Sequence, residues 1–357
     1  MNSFIKTLVR LLLFPLSLLY GLGIGLRHFF YSSGLLKSAE FSIPLIAVGN
    51  LSVGGAGKTP HVEYLIRLLK DYINIATLSR GYKRKTKGFL FVHPHQNSEE
   101  VGDEPLQYKR KYPDVLVAVG ESRMLAIPEM MRHFPNTQLI VLDDAFQHLA
   151  IQPSLNILLT EYEHPFMDDY LLPSGRLREW RSAYHRADLI IVTKCPPLLA
   201  SERKEQMIAR IQPLSHQKIF FSHYTYGNPY YIFNSSYRGK LSKDVDVLLI
   251  CAIARTDYLL DYLEEQVQSI VLMSFEDHHY FSKHDIGSLN ATFQRMKSER
   301  KVIITTEKDA MRLELHKAFL TEHELPVFVL PAEVEFLFGE GTQFDTVIRN
   351  HLLSFRA

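Results

Sequence analysis

The sequence predicts an α/β protein, two α/β/α units in series behind an amino-terminal membrane-associated helix. Three observations carry this. From residue 43 onward short apolar runs alternate with helical patterns, a tyrosine- and turn-rich stretch interrupts the rhythm once, and the first 35 residues hold a long uncharged run flanked by basic side chains. The expected division is a membrane-associated helix over 1–35, a first unit over 36–222, a connector over 223–242 and a smaller carboxyl-terminal α/β unit over 243–357.

Each element has its own signal. Sixteen uncharged residues separate Arg10 from Arg27, and before Glu40 the charged side chains are Lys6, Arg10, Arg27 and Lys37. A spanning helix needs about 20 apolar residues, and Pro15 and the glycines weaken this one. The expectation is a helix lying in the membrane interface, its cations near anionic headgroups; a single span and a buried core helix are the alternatives. Runs 43–48, 73–78, 115–119, 139–142, 155–159 and 189–192 are predominantly apolar, as strands covered on both faces of a parallel sheet are. Val62, Leu65, Ile66 and Leu69 repeat at helical spacing after the first run. Residues 223–239, with Gly227-Asn228-Pro229, read as a connector with short antiparallel pieces. A second series follows at 245–250, 256–266, 270–273, 302–305 and 327–330.

Composition narrows the function classes. At 357 residues the chain is longer than most single domains, and 46% hydrophobic with 22% charged residues excludes a disordered or fibrous protein. Forty Lys+Arg against 39 Asp+Glu leave a formal net charge of +1, so no nucleic-acid partner is expected. The two cysteines, Cys195 and Cys251, follow apolar runs and lack a CxxC partner, which reads as buried free thiols.

The most informative stretch is GNLSVGGAGKTP over residues 49–60, set between a strand and an amphipathic helix. Glycines let successive N–H groups turn inward around a phosphate, and the helix N-terminus adds its dipole. Ser52, Val53, Gly54, Gly55, Ala56, Gly57, Lys58 and Thr59 are the nucleotide-binding candidates, with Lys58 reaching the β/γ-phosphates and Thr59 ligating Mg²⁺. Ser52 stands where the strict GxxxxGK[ST] pattern has Gly. The first unit is therefore expected to be a parallel sheet like that of P-loop NTPases. Its metal carboxylates are expected at Asp143 and Asp144, which end a buried strand and are costly there without a cation. His148 follows them and could orient water or phosphate. Gly102-Asp103-Glu104-Pro105 is an acidic turn, a place for a proton acceptor, and Asp277-His278-His279 offers a histidine poised by a carboxylate. Arg80 lies in the basic run 79–87; Arg123, Arg176, Arg178 and Glu179 lie in turn-rich stretches, where arginines can fork onto phosphoryl oxygens.

Taken in order, GNLSVGGAGKTP (49–60), LSRGYKRK (78–85), GDEP (102–105), GESR (120–123), LDDAFQH (142–148), SGRLRE (174–179), VTKCP (192–196), FEDHHYF (275–281) and TEKDAMRL (306–313) resemble the tetraacyldisaccharide 4'-kinase family of lipid A biosynthesis. The resemblance implies an ATP- and Mg²⁺-dependent enzyme on the cytoplasmic face of the inner membrane. It would phosphorylate the 4'-hydroxyl of an acylated glucosamine disaccharide 1-phosphate, yielding lipid IV-A among membrane lipids. By the same resemblance Asp103 is the catalytic acid residue and His278 its partner, with His279 open as the alternative. Lys58 and Thr59 hold nucleotide and metal, Asp143 and Asp144 the metal, and Arg80, Glu104, Arg123, His148, Arg178 and Glu179 match further active-site positions. Ala145 and Trp180 depart from the pattern, where Gly and Pro are common. Two rival readings stay open: a P-loop GTPase or metallochaperone, although Thr193-Lys194-Cys195-Pro196 lacks the Asp of a guanine reader, and an ATP-gated membrane adaptor.

Overall fold

The computed structural model describes residues 3–356, with side chains from Leu8 onward; Met1, Asn2, the Lys6 side chain and Ala357, all within the expected segments, lie outside the described residues. The strands in chain order are β1 (Leu45–Asn50), β2 (Ile75–Ser79), β3 (Leu90–Phe91), β4 (Leu116–Val119), β5 (Leu139–Asp143), β6 (Leu155–Glu161), β7 (Leu189–Thr193) and β8 (Lys218–Tyr226). There follow β9 (Tyr230–Tyr231), β10 (Asn234–Arg238), β11 (Asp246–Cys251), β12 (Ser269–Ser274), β13 (Lys301–Thr306), β14 (Val327–Leu330) and β15 (Ala332–Phe336).

Two sheets result. The first has the order β15-β8-β7-β6-β1-β5-β2-β4-β3, parallel from β8 to β4 with an antiparallel strand at each edge. Its inner strands β1, β2, β5 and β7 are buried at every residue, the reason they read as unbroken apolar runs. The second sheet, β10-β9-β14-β13-β11-β12, is parallel from β14 to β12. Cys195 and Cys251 are buried free thiols.

Two departures from the linear reading have a common cause. The Tyr-rich stretch begins inside β8, which adds the last parallel strand to the first sheet before β9 opens the second. At the far end, β15 leaves the second sheet and pairs antiparallel with β8, Phe336 opposite Ser222. Helix Gly341–Ser354 follows it, and Phe344 stacks on Phe336 at 4.4 Å and meets Phe220 edge-on at 5.3 Å. Alternating edge strands such as AEVEF carry a weak sequence signal, because one face stays wet.

The amino-terminal helix runs from Ser3 to Ser32 through Pro15. It is long and apolar enough to cross a membrane, and few of its residues are covered by the rest of the chain. Leu11, Leu12, Leu19 and Leu22 are at least 66% exposed, which removes the buried-core alternative. What does hold it is specific. Trp180 Nε1 donates to the Gly21 carbonyl at 2.9 Å, Ser17 Oγ donates to Leu171 O at 3.1 Å, and His28 Nε2 lies 3.1 Å from Glu179. Gly21 has no alternative, since a Cβ there would meet the Trp180 ring at 2.3 Å.

Between the sheets, helix Asp103–Lys111 packs on helix Glu307–Leu313. Lys111 Nζ sits 2.7 Å from Glu63 and 2.7 Å from Glu307, and Gln107 Nε2 donates to Glu63 at 2.8 Å. Burial, and then Glu63, push the Glu307 carboxyl up to about 7. Between that value and the ordinary one of 4.5 the folded chain holds a proton that the unfolded chain releases. The associated stability is complete below the unfolded pKa and drains as pH rises through 7. Glu307→Gln lacks this drain, so from pH 5.5 to 8 urea unfolding should show the variant gaining roughly 2 kcal/mol on the parent. Parallel pH profiles would refute the assignment.

Candidate active site

The phosphate loop leaves β1 at Asn50, in the middle of the first sheet, and enters helix Lys58–Leu69. Gly54 and Gly57 have φ of 114° and 86°, the left-handed region that glycine adopts freely. A Cβ at Gly57 would also meet the Tyr224 hydroxyl at 2.3 Å. Ser52 forms an antiparallel bridge with Leu177, which keeps its backbone extended and explains why glycine is not needed there. The loop is tied on both sides: Val53 N donates to Arg176 O at 2.7 Å, and Thr193 Oγ1 donates to Ala56 O at 3.0 Å. Lys58 Nζ lies 3.1 Å from Asn50 Oδ1 and 3.5 Å from Asp144 Oδ1. Gly55 faces Ala254 across the cleft, and Thr59 stands beside the Tyr108 phenol.

Parallel pairing of β1 with β5 sets Val48 beside Asp143, bringing the twin aspartates to the loop. Asp143 Oδ2 accepts from Tyr108 Oη at 3.1 Å and Ser79 Oγ at 3.3 Å, while its buried Oδ1 has no partner among the described residues. Burial and then Asp144 push the Asp143 carboxyl up. Asp144, at φ 49°, is gripped by the Arg178 fork at 3.0 and 2.9 Å. Burial works against its ionisation, but Lys58 and Arg178 outweigh that and hold it well below the usual range. An orphaned carboxylate oxygen beside an ionised neighbour, a lysine and a threonine hydroxyl fits a hard divalent cation.

The other arginines and acids divide. Arg123 is 1% exposed and spends its guanidinium on the carbonyls of Gly120 (3.1 Å) and Asp143 (3.2 Å), bracing the strand end. Arg80 is exposed near it. Burial, then Arg123 and Arg80, lower the His148 imidazole to about 4, so it is neutral near pH 7. Glu179 is buried and paired with Arg186 at 2.6 Å and with His28 of the amino-terminal helix. The SGRLRE segment thus touches phosphate loop, aspartates and amino-terminal helix together.

Facing the loop, Asp103 and Glu104 open helix Asp103–Lys111, and the segment after β12 carries His278 at φ 58°. His278 Nδ1 is 3.2 Å from Asp103 Oδ2, although 175 residues separate the two. Burial opposes charge on Asp103, yet hydrogen bonds from His278 and Glu104 and the Lys308 charge hold its carboxyl far below the usual range. Burial, and then the Asp103 charge, push the Glu104 carboxyl well up. His279 turns away, 3.0 Å from Asp285 and stacked on Phe275. Lys58, Thr59, Glu104, Asp277, His278 and Lys308 line one cleft between the sheets. Asn50, Tyr108, Lys308 and Arg312 were not singled out from sequence; Lys308 and Arg312 carried a signal, being charged residues just after a buried apolar run.

Three comparisons with known proteins point to one family. Residues 9–353 match the family model described as LpxK, tetraacyldisaccharide-1-P 4'-kinase. The tetraacyldisaccharide 4'-kinase of Bacteroides thetaiotaomicron is 40% identical over 345 residues, covering 93% of this chain and 90% of that protein. The Flavobacterium johnsoniae enzyme of the same name is 41% identical, covering 90% of this chain and 92% of its own. A crystal structure of LpxK from Aquifex aeolicus, titled as an apo form in complex with ATP, superposes with a TM-score of 0.72 at 29% identity, covering 96% and 99% of the two chains. On these matches and this fold, the chain belongs to the tetraacyldisaccharide-1-P 4'-kinase family.

Proposed function

We propose that this protein transfers the γ-phosphate of ATP to the 4'-hydroxyl of a tetraacylated glucosamine disaccharide 1-phosphate, forming lipid IV-A on the cytoplasmic face of the inner membrane. The observation that carries the reading is the shared cleft, with phosphate-loop Lys58 and Thr59 on one wall and Glu104 and His278 on the other. The exposed apolar helix supports attachment to the lipid surface where such an acceptor resides.

In this reading the N–H groups of residues 54–59 receive the triphosphate and Lys58 pairs with its terminal oxygens. Thr59, Asp143 and Asp144 would hold Mg²⁺, which when bound offsets charge on the β- and γ-oxygens. Arg178 keeps Asp144 ionised and aimed, and Arg123 braces the strand end that carries it. Asp103, ionised and backed by His278, orients the acceptor hydroxyl and takes its proton late, since phosphoryl transfer depends chiefly on position and charge.

Purified protein incubated with γ-labelled ATP and the disaccharide acceptor in detergent micelles should move label onto the lipid, and a 4'-deoxy acceptor should receive none. Label released only as free phosphate would point to an ATP-gated adaptor, and equal use of GTP to the GTPase reading.

A further inference from the structure

Asp103, Glu104 and His278 present three ligand atoms within 4.8 Å of one another, a donor set of the kind that binds divalent cations. A side-chain ammonium sits among them instead. Lys308 Nζ is 2.9 Å from His278 Nε2, 3.2 Å from Glu104 Oε1 and 3.3 Å from Asp277 Oδ1. Its place is fixed from behind. It lies in the first turn of the helix that follows β13, where Thr306 Oγ1 accepts from Asp309 N at 3.1 Å, and Asp309 in turn accepts from Ala252 N at 3.0 Å.

The chemistry of the three partners is restrictive. An ammonium has three donors and no acceptor, so toward the ring it can only donate, and Nε2 must offer a lone pair. The single proton of the neutral ring then resides on Nδ1, which faces Asp103 Oδ2 at 3.2 Å. We infer that Lys308 is a positioning residue for the Asp103–His278 pair: its ammonium fixes His278 as the Nδ1–H tautomer that donates to Asp103. The inference rests on the proposed role of Asp103 as proton acceptor. The O–H bond of the sugar hydroxyl breaks as one forms on Asp103, and Nε2, already engaged by Lys308, offers that proton no second stop.

Burial disfavours the ammonium, but Glu104, Asp103 and Asp277 outweigh it and keep Lys308 charged. The remaining neighbours are Arg312, whose Nε is 3.6 Å from Asp103 Oδ2, Lys83, which donates to the His278 carbonyl at 3.1 Å, and the Tyr82 ring at 4.7 Å from the imidazole. Without Lys308, Nε2 would face Glu104 at 3.8 Å and Asp277 at 3.9 Å, and the Asp277 carboxylate favours a proton there. The resulting imidazolium would make Asp103 a weaker base.

Lys308→Met should lower kcat about 100-fold with little change in KM for ATP. The acid limb of its kcat profile should shift from its parental position by about one pH unit. Lys308→Arg, which keeps a donating cation, should recover most of the rate and the parental limb. In the unmodified protein at pH 7, ¹⁵N-histidine NMR, assigned by difference from His278→Asn, should show Nδ1 protonated and Nε2 bare. A protonated Nε2 there would overturn the inference whatever the variants do, and so would Lys308→Met with a parental pH profile. Undiminished turnover in Asp103→Ala would instead remove the underlying reading of Asp103.

Discussion

Asp103→Ala is expected to lower kcat by about 10²–10⁴-fold while KM for ATP stays near the parental value. The separation of the two constants follows from place. Asp103 is buried at the start of its helix and held by His278 and Arg312, whereas the groups that would grip triphosphate belong to residues 54–59. Loss of the carboxylate leaves the phosphate loop and its aspartates intact but removes the proposed acceptor for the sugar proton. A thermal melt should accompany the kinetics, because the substitution also leaves Arg312 with one carboxylate partner, Asp309. An unaltered turnover number would strike Asp103 from the mechanism.

Lys58→Ala is expected to fail in both respects, with ATP affinity and kcat each falling by about 10²–10³-fold. Lys58 is the cation that opens the helix after the loop, joined to Asn50 and Asp144 and lining the cleft. Its removal strips positive charge from ground state and transition state alike, and Arg178 becomes the remaining direct partner of Asp144. Calorimetric titration with ATP reads the first loss and single-turnover kinetics the second. Parental ATP affinity in this variant would discredit the phosphate-loop assignment.

What sequence conveyed about these residues follows from how their environments are made. The phosphate loop and the twin aspartates were legible because each is a contiguous run placed at a strand end, and β1 and β5 are buried at every residue. Asp103 and His278 were named separately, but their contact is a product of the fold, as is the choice between His278 and His279. Lys308 lay in plain view within TEKDAMRL and its place in the cleft did not show, because every partner it has there lies at least 30 residues away along the chain. Arginines misled in another way. In sequence Arg123 and Arg178 look alike, yet one is folded onto carbonyls and the other forks onto a carboxylate. Glu179, grouped with the phosphate-site candidates, turned out to clasp His28 and so to fasten the amino-terminal helix.

The return of β15 to the first sheet has a mechanical result. The chain crosses from one sheet to the other at residues 227–229 and comes back at Pro331, and the two passages touch, Gly227 N donating to Pro331 O at 3.1 Å. A single passage would permit swivel and twist alike; two side by side act as a pair of pins, stiff against torsion and compliant only in flexure about the line that joins them. Any opening of the cleft is then a jaw-like motion along one arc, returning His278 to the same spot over Asp103 each time it shuts.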